Sequence, residues 1–104
     1  MSPSGNPEQA AGAAVTAVRL TCTICNQKGL HARAAARFVK TAGQFSADVQ
    51  VRKNGTAVSG RSIMGLMMLA AGPGTDIELR ASGPEAERAI GALAELIAGG
   101  FDEK

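Results

Sequence analysis

Three segments of the chain alternate apolar and polar residues, and each segment is apolar on one side only. The apolar positions are Val18, Leu20, Cys22 and Ile24 in the first segment, Ala47, Val49 and Val51 in the second, and Ile77, Leu79 and Ala81 in the third. Such alternation indicates β-strands with one buried and one solvent-facing side. Asn54-Gly55 is typical of a two-residue hairpin turn, so residues 56–59 are predicted to form a short strand antiparallel to the second segment.

Helical spacing replaces the alternation between these strands. Ala35, Phe38, Val39 and Ala42 predict a helix over residues 32–42 that ends at Gly43. Ser62 is a candidate N-cap for a short helix that runs to Leu69 or Ala70.

A third helix is predicted to start at Ser82-Gly83-Pro84, with proline at or near its first position, and to stop at Gly99-Gly100. Its apolar stripe consists of Ala86, Ala89, Ile90, Leu93 and Ile97. Residues 101–104 are expected to be a short tail.

The resulting order is β-α-β-β-α-β-α. Since the long strands are apolar on one face only, one face of the sheet must be covered by helices. We therefore predict an α/β (α+β) fold, an open-faced sandwich of a four-stranded antiparallel sheet with three helices on one face. Residues 17–104 are assigned to this single domain. Residues 1–16 are rich in Ser, Pro, Gly and Ala without periodicity, and are predicted to be a disordered N-terminal extension.

Composition argues against several function classes. A net charge of +2 is too small to indicate nucleic acid binding, and the outward strand positions lack aromatic residues for base stacking. No apolar run is long enough to insert in a membrane and no signal peptide is recognisable, so a cytoplasmic location is expected. There is no second acid, base or metal cluster beside the single histidine, which argues against a self-contained enzyme and against a cofactor.

Cys22 and Cys25 form a C-x-x-C pair. Positions three apart in an extended strand point to opposite faces, so the two thiols are expected to diverge as ordinary strand residues. Neither a metal site nor a disulfide is predicted.

His31, the only histidine, lies where the first strand and its loop give way to the first predicted helix. The first turn of a helix presents unpaired N–H groups and the positive end of the macrodipole, which attract an anion. Arg33 can offer its guanidinium to phosphate oxygens at such a helix start. Further basic residues occur nearby in the sequence and in the segment before the second predicted helix. We therefore predict a basic rim around His31 that consists of Lys28, Arg33, Arg37, Lys40 and Arg61. The simpler alternative is that His31 is a capping or surface residue.

Two motifs carry a family resemblance. The string GLHARAAARF, followed by VKTAGQF, and the later string RSIMGLMML resemble HPr, the histidine-containing phosphocarrier family of the bacterial phosphoenolpyruvate-dependent phosphotransferase system. The resemblance implies that His31 accepts a phosphoryl group through Nδ1 from phospho-enzyme I and passes it to a histidine of an enzyme IIA. It implies that Arg33 stabilises the phosphate, and it implies the same open-faced sandwich. A monomer is expected.

The second motif contains more apolar residues than one helix face can bury. We expect Leu66, Leu69 and Ala70 to face the core and Ile63, Met64 and Met67 to be exposed, unless the short helix is fully buried. With Ala32 and Ala36 these exposed residues form a predicted partner-binding surface. By resemblance, Ser62 matches the serine that a dedicated HPr kinase/phosphorylase modifies in many bacteria, where the added charge would repel acidic partners.

One residue departs from the family pattern. Proline commonly follows the arginine, whereas Ala34 follows Arg33 here, which resembles carriers of the nitrogen-related regulatory branch. Sugar uptake and nitrogen-related regulation therefore both remain open. The alternative function is a regulatory protein-interaction domain that acts through its Met/Ile surface without phosphotransfer.

Overall fold

Four strands and three helices follow one another in the order that the sequence predicts. The computed structural model describes residues 17–103, so the predicted extension over residues 1–16 lies outside the described residues. The elements are β1 (Val18–Thr23), α1 (Ala32–Ala42), β2 (Asp48–Lys53), β3 (Thr56–Ser59), α2 (Ile63–Met68), β4 (Asp76–Ser82) and α3 (Ala86–Ala98), followed by a 3-10 turn over Gly100–Asp102.

The strands form one antiparallel sheet in the order β1-β4-β2-β3. Leu79 on β4 lies opposite Leu20 on β1 and opposite Val51 on β2, so the apolar positions of the three long strands are aligned on one face. The predicted open-faced sandwich is therefore confirmed.

The core lies between this face and the helices. The largest fully buried side chains are Phe38, Phe101, Ile24, Leu66, Ile77, Leu79, Leu93, Ile97, Val49 and Val51. Alanines fill much of the remaining helix surface toward the sheet, for example Ala34 and Ala35 on α1 and Ala89 on α3, each with no exposed surface. Leu20 differs from the expected buried position, since it is 40% exposed. Its strand is at the edge of the sheet, where one neighbouring strand is missing.

The ends of α1 agree with the prediction, including Gly43 after its last residue. The start of α3 does not, because the helix begins at Ala86 and Pro84 lies in the preceding turn. Glu85 and Ser46 hold this turn. The Glu85 N–H donates to Ser46 O at 3.0 Å, and the Ser46 N–H donates to Glu85 Oε1 at 2.7 Å. Gly83, at φ 115°, adopts a backbone conformation that no helix contains.

The C-terminal end of α2 also differs from expectation. Leu69 is buried, but Ala70 is exposed and has a φ of 52°, so its predicted place in the core is wrong. The chain has already left the helix at this point. Lys53 Nζ secures the helix end by donating to Leu69 O at 2.8 Å and to Ala70 O at 3.2 Å.

The two cysteines are free thiols. Cys22 is half-buried in β1, and burial raises the pKa of its thiol. Cys25 is not a strand residue as predicted, because β1 ends at Thr23 and Ile24 pairs with the loop before β4 through Ile24 N–H to Thr75 O at 2.8 Å. Cys25 follows Ile24 in the chain and is exposed.

Replacing Ala70 by glycine should stabilise the fold. A left-handed alanine costs roughly 1–2 kcal/mol, while glycine in place of alanine loses about 0.5–1 kcal/mol through the unfolded chain, so a net gain of ~0.5–1 kcal/mol is expected. Urea unfolding monitored by circular dichroism measures it. Ala36→Gly, inside α1, is the matched control and should lose about 0.5–1 kcal/mol. A loss of stability in Ala70→Gly would contradict the assigned backbone strain.

Acidification should weaken the turn before α3. The backbone hydrogen bond from Ser46 lowers the pKa of the Glu85 carboxyl, with a smaller contribution from Arg88. A lowered folded-state pKa means that the ionised group stabilises the fold above its unfolded pKa, and that this contribution is lost as the pH falls through the folded value. Glu85→Gln should therefore destabilise the protein at neutral pH and become indistinguishable from the parent in strong acid.

The control for this titration is Glu87→Gln. Glu87 lies in the first turn of α3 and makes no hydrogen bond to another side chain within residues 17–103. Urea midpoints as a function of pH compare the variants. An equal effect of both substitutions at neutral pH would assign the change to net charge or to the helix dipole, and not to the Ser46 contact.

Candidate functional site

His31 lies at the N-cap of α1, as the sequence predicts. Its backbone is extended, with φ −78° and ψ −177°, and its side chain makes no capping hydrogen bond. The ring is therefore not a helix cap in the usual sense and points to other partners. Its side chain is 28% exposed.

The loop before His31 is fixed by a close backbone approach. Leu30 is buried and its N–H donates to Ala71 O at 2.9 Å. Gly29 has a φ of 63°, and a Cβ at this position would lie 2.4 Å from Ala71 O. Only glycine meets both conditions, so the sequence Gly29-Leu30-His31 delivers the imidazole to one place relative to the rest of the fold.

The buried side chain of Asn26 stabilises the same loop by hydrogen bonds. It is 7% exposed, and its Nδ2 donates to Gly29 O at 2.8 Å. A second hydrogen bond of 3.0 Å runs from Nδ2 to Glu103 Oε1. Because both partners are acceptors, they fix the orientation of the amide.

The segment after α3 is not the tail that the sequence predicts. Phe101 is completely buried, and its carbonyl accepts a hydrogen bond from Arg37 Nη1 of α1. The apolar contact and the hydrogen bond draw the C-terminal segment onto the N-terminal half of α1. The prediction of a tail is wrong because a single phenylalanine after two glycines carries no periodicity.

Glu103 reaches His31 from this segment. Its Oε2 contacts His31 Nε2, and because an ionised carboxylate can only accept a hydrogen bond, this contact favours the tautomer with the proton on Nε2. Hydrogen bonds from His31 first, and then from Asn26, lower the pKa of the Glu103 carboxyl. The other ring nitrogen, Nδ1, makes no hydrogen bond to any residue in the range 17–103.

These segments line an open cavity of about 940 Å³. Its lining residues are Cys25, Asn26, Gln27, Lys28, His31, Ala32, Arg33, Arg37, Ala98, Gly99, Gly100, Asp102 and Glu103. Three of the five basic residues predicted to surround His31 therefore lie here. Lys40 and Arg61 do not, because Lys40 is in the last turn of α1 and Arg61 Nη2 donates to Ala47 O at 3.4 Å on another side of the molecule.

Arg33 is exposed at the second position of α1. Arg37 is committed to Phe101 O, whereas no hydrogen bond joins the Arg33 guanidinium to another residue of 17–103. A planar guanidinium that shares a cavity with an imidazole can bind two oxygens of a phosphoryl group on that ring. This is the chemistry that the cavity supports, and within residues 17–103 no group of side chains is suited to holding a metal ion.

Ser62 is the N-cap of α2, and its Oγ accepts a hydrogen bond from the Gly65 N–H at 2.9 Å. The helix is not fully buried: Ile63, Met64 and Met67 are 40%, 72% and 43% exposed, as predicted, while Leu66 is fully buried. Met68, which was not among the residues predicted to be exposed, is the most exposed of them at 78%.

The remaining residues of the predicted partner-binding surface are on α1. Ala32 and Ala36 are both exposed, and Ala32 also lines the cavity around His31. Since α1 packs against α2, the two groups of exposed residues belong to adjoining helices.

Asn26, Glu103 and the Arg37–Phe101 contact were not identified from the sequence. Phe101 gave the only usable signal, since a large aromatic residue is out of place in a solvent-exposed tail. Within residues 17–103 no helix combines the length and apolar character that crossing a membrane requires.

Comparisons with known proteins agree on one family. A family model described as the PTS HPr component phosphorylation site matches residues 18–99. The chain is 54% identical over 80 residues to the phosphocarrier protein HPr of Neisseria meningitidis serogroup A, covering 77% of this chain and 90% of that protein. It is also 37% identical over 89 residues to the phosphocarrier protein NPr of Shewanella violacea, covering 86% of this chain and 98% of the relative.

A solved structure gives the same result. The crystal structure of HPr-C-His from Thermoanaerobacter tengcongensis superimposes with a TM-score of 0.80 at 44% identity, covering 84% of this chain and 98% of that one. These relatives are carriers, which favours a carrier over an enzyme that turns over a substrate. The fold, the matched segment and the relatives together place this chain in the HPr family of phosphocarrier proteins of the phosphotransferase system.

Proposed function

We propose that the protein is a phosphocarrier that accepts a phosphoryl group on His31 from phospho-enzyme I and passes it to a histidine of an enzyme IIA. The observation that carries this proposal is the surroundings of the His31 ring. One nitrogen of the single histidine is engaged by Glu103, the other has no hydrogen-bond partner within residues 17–103, and the ring lies in a cavity lined by Lys28, Arg33 and Arg37.

The transfer needs little from the protein beyond position and charge. The Nδ1 lone pair forms a bond to phosphorus as the bond from phosphorus to the donor histidine breaks, and that electron pair returns to the donor ring. Arg33 would bind the phosphoryl oxygens during this step. The partly exposed ring suits a carrier, because the phosphoryl group must arrive from one partner protein and leave to another.

The partners would dock around this cavity. Ala32 and Ala36 on α1 and Ile63, Met64 and Met67 on α2 form the proposed docking surface, and flexible methionine side chains can adapt to both enzyme I and enzyme IIA. Phosphorylation of Ser62 by a kinase/phosphorylase would place about −1.5 to −2 charges within that surface. Acidic partners would then be repelled.

The domain bounds, the oligomeric state and the location that we propose rest on the sequence. The carrier domain spans residues 17–104, and the protein acts as a monomer in the cytoplasm without a cofactor. Its output is sugar uptake, nitrogen-related regulation or both, since relatives named HPr and NPr are both similar to it. The competing proposal is an interaction domain that binds regulators through the Met/Ile surface without phosphotransfer.

Intact-mass measurement after incubation with phosphoenolpyruvate and enzyme I tests the carrier. We expect a gain of one acid-labile phosphoryl group in the parent and none in His31→Ala. Arg33→Ala should still be phosphorylated, but with kcat/KM lowered about tenfold (~1.4 kcal/mol), because one charged contact to the phosphoryl group is lost.

Phosphorylation that survives in His31→Ala would refute the assignment. An unmodified parent in the presence of an enzyme I that phosphorylates another carrier would instead favour the interaction domain.

Charge at Ser62 should weaken docking without unfolding α2. Ser62→Asp and Ser62→Asn both retain an N-cap acceptor for the Gly65 N–H, so their stabilities should match the parent closely. One carboxylate close to an acidic partner costs about 1 kcal/mol in water, so Ser62→Asp should raise KM for enzyme I about fivefold while Ser62→Asn leaves it unchanged. Steady-state transfer kinetics measure this, and equal KM values for the two variants would contradict the proposed docking role.

A further inference from the structure

We propose that Glu103, held in place by Asn26, is a positioning residue that keeps the proton of His31 on Nε2 and turns Nδ1 toward the cavity. This inference rests on the proposed phosphocarrier function and deepens it. It assigns a role in the transfer to a segment that the sequence presents as a tail.

Both oxygens of the Glu103 carboxylate accept a hydrogen bond. Oε1 accepts from Asn26 Nδ2 at 3.0 Å, and Oε2 accepts from His31 Nε2. Asn26 is 7% exposed and is itself fixed by Gly29 O, so the carboxylate is anchored to the loop that carries His31. The side chain of Glu103 is 21% exposed, and so the contact is shielded from much of the solvent. A rotating ring would break this chain of hydrogen bonds.

The backbone conformation of the segment supports a specific role. Gly100, Phe101 and Asp102 have φ values of 67°, 57° and 61°, three consecutive residues in the left-handed region. Phe101 and Asp102 are not glycines, and such residues persist only where the surroundings hold them there. The buried Phe101 ring and the hydrogen bond from Arg37 hold this turn, and the residue that it delivers is Glu103.

The carboxylate also matches the charge change of the reaction. When the Nδ1 lone pair bonds to phosphorus while Nε2 keeps its proton, the ring gains a positive charge. Glu103 accepts the Nε2–H and so lies next to that charge. On onward transfer the P–N bond breaks, its electrons return to Nδ1, and the ring is again neutral with the proton still on Nε2. No other proton movement is required.

Other ionisable groups share the cavity and must be separated from Glu103 experimentally. They are Cys25, Lys28, Arg33, Arg37 and Asp102. Arg37 is bound to Phe101 O, whereas Asp102 is exposed and its carboxylate accepts no hydrogen bond from another side chain of 17–103. Asp102→Asn is therefore the matched control for Glu103→Gln, since each removes one negative charge from the same turn.

The first readout is nuclear magnetic resonance of the His31 ring in the unphosphorylated full chain. His31 is the only histidine, so its ring signals need no assignment by mutation. With a carboxylate acceptor, we expect a downfield Nε2–H proton that exchanges slowly with water and an unprotonated Nδ1. The amide introduced by Glu103→Gln has a single acceptor oxygen, which cannot replace the two carboxylate oxygens that face Asn26 and His31. The proton should therefore exchange much faster in Glu103→Gln, while Asp102→Asn resembles the parent.

The second readout is phosphotransfer. In Glu103→Gln we expect kcat for onward transfer to an enzyme IIA to fall several-fold with little change in KM, because a phosphorylated ring that no longer holds its Nε2 proton is the poorer leaving group. Spontaneous hydrolysis of phospho-His31 should slow by a similar factor, since a ring that keeps its proton is the better leaving group. Asp102→Asn should change neither rate.

Two results would overturn the inference. In the first, the ring signals and the transfer rate of Glu103→Gln are identical to those of the parent. In the second, Asp102→Asn changes the ring signals and the transfer rate as much as Glu103→Gln does, which would assign the effects to the net charge of the turn. Failure of the proposed function is distinguishable from both. It appears as a parent protein that enzyme I does not phosphorylate, whereas the ring measurement uses neither enzyme I nor a phosphoryl group.

Discussion

Burial of one face of a four-stranded sheet is the constraint on which this molecule depends. The inward residues of β2 and β4 are covered by helices whose contact surfaces contain many alanines, among them Ala34, Ala35 and Ala89. Small residues let the helices lie close to the sheet, so that a chain with no Trp or Tyr still fills its core. With the helices held this closely, the start of α1 and the end of α3 lie at the same end of the sandwich and enclose the cavity around His31.

The site is built at the meeting point of three chain segments. The loop before α1 is fixed by the Leu30–Ala71 hydrogen bond, α1 supplies His31 and Arg33, and the turn after α3 supplies Glu103. A rigid frame around a partly exposed ring is what phosphoryl transfer requires. Position is set by the frame, while the reacting nitrogen stays accessible to two different partners in turn.

Local interactions account for what could be predicted. The bounds of α1, the Asn54-Gly55 hairpin and the Ser62 cap depend on residues within a few positions of one another, and each agrees with the structure. The errors occur where a distant contact competes with a local preference. Pro84 favours a helix start, but the pair of hydrogen bonds between Glu85 and Ser46 keeps it in a turn. Ala70 would continue an apolar stripe, but Lys53 binds the carbonyl groups at the end of α2 and the chain turns away.

The sequence by itself determined the strand and helix order, the one-sided sheet and the position of His31 at a helix start. All of these follow from periodicity and from the conformational preferences of short segments. Only the tertiary structure decided which basic residues share the cavity with His31 and which ring nitrogen is engaged. His31 and Glu103 are 72 residues apart in the chain, and they meet because burial of Phe101 folds the end of the chain against α1. A contact between two single residues at that separation leaves no periodic trace in the sequence, because it depends on how the intervening elements pack together.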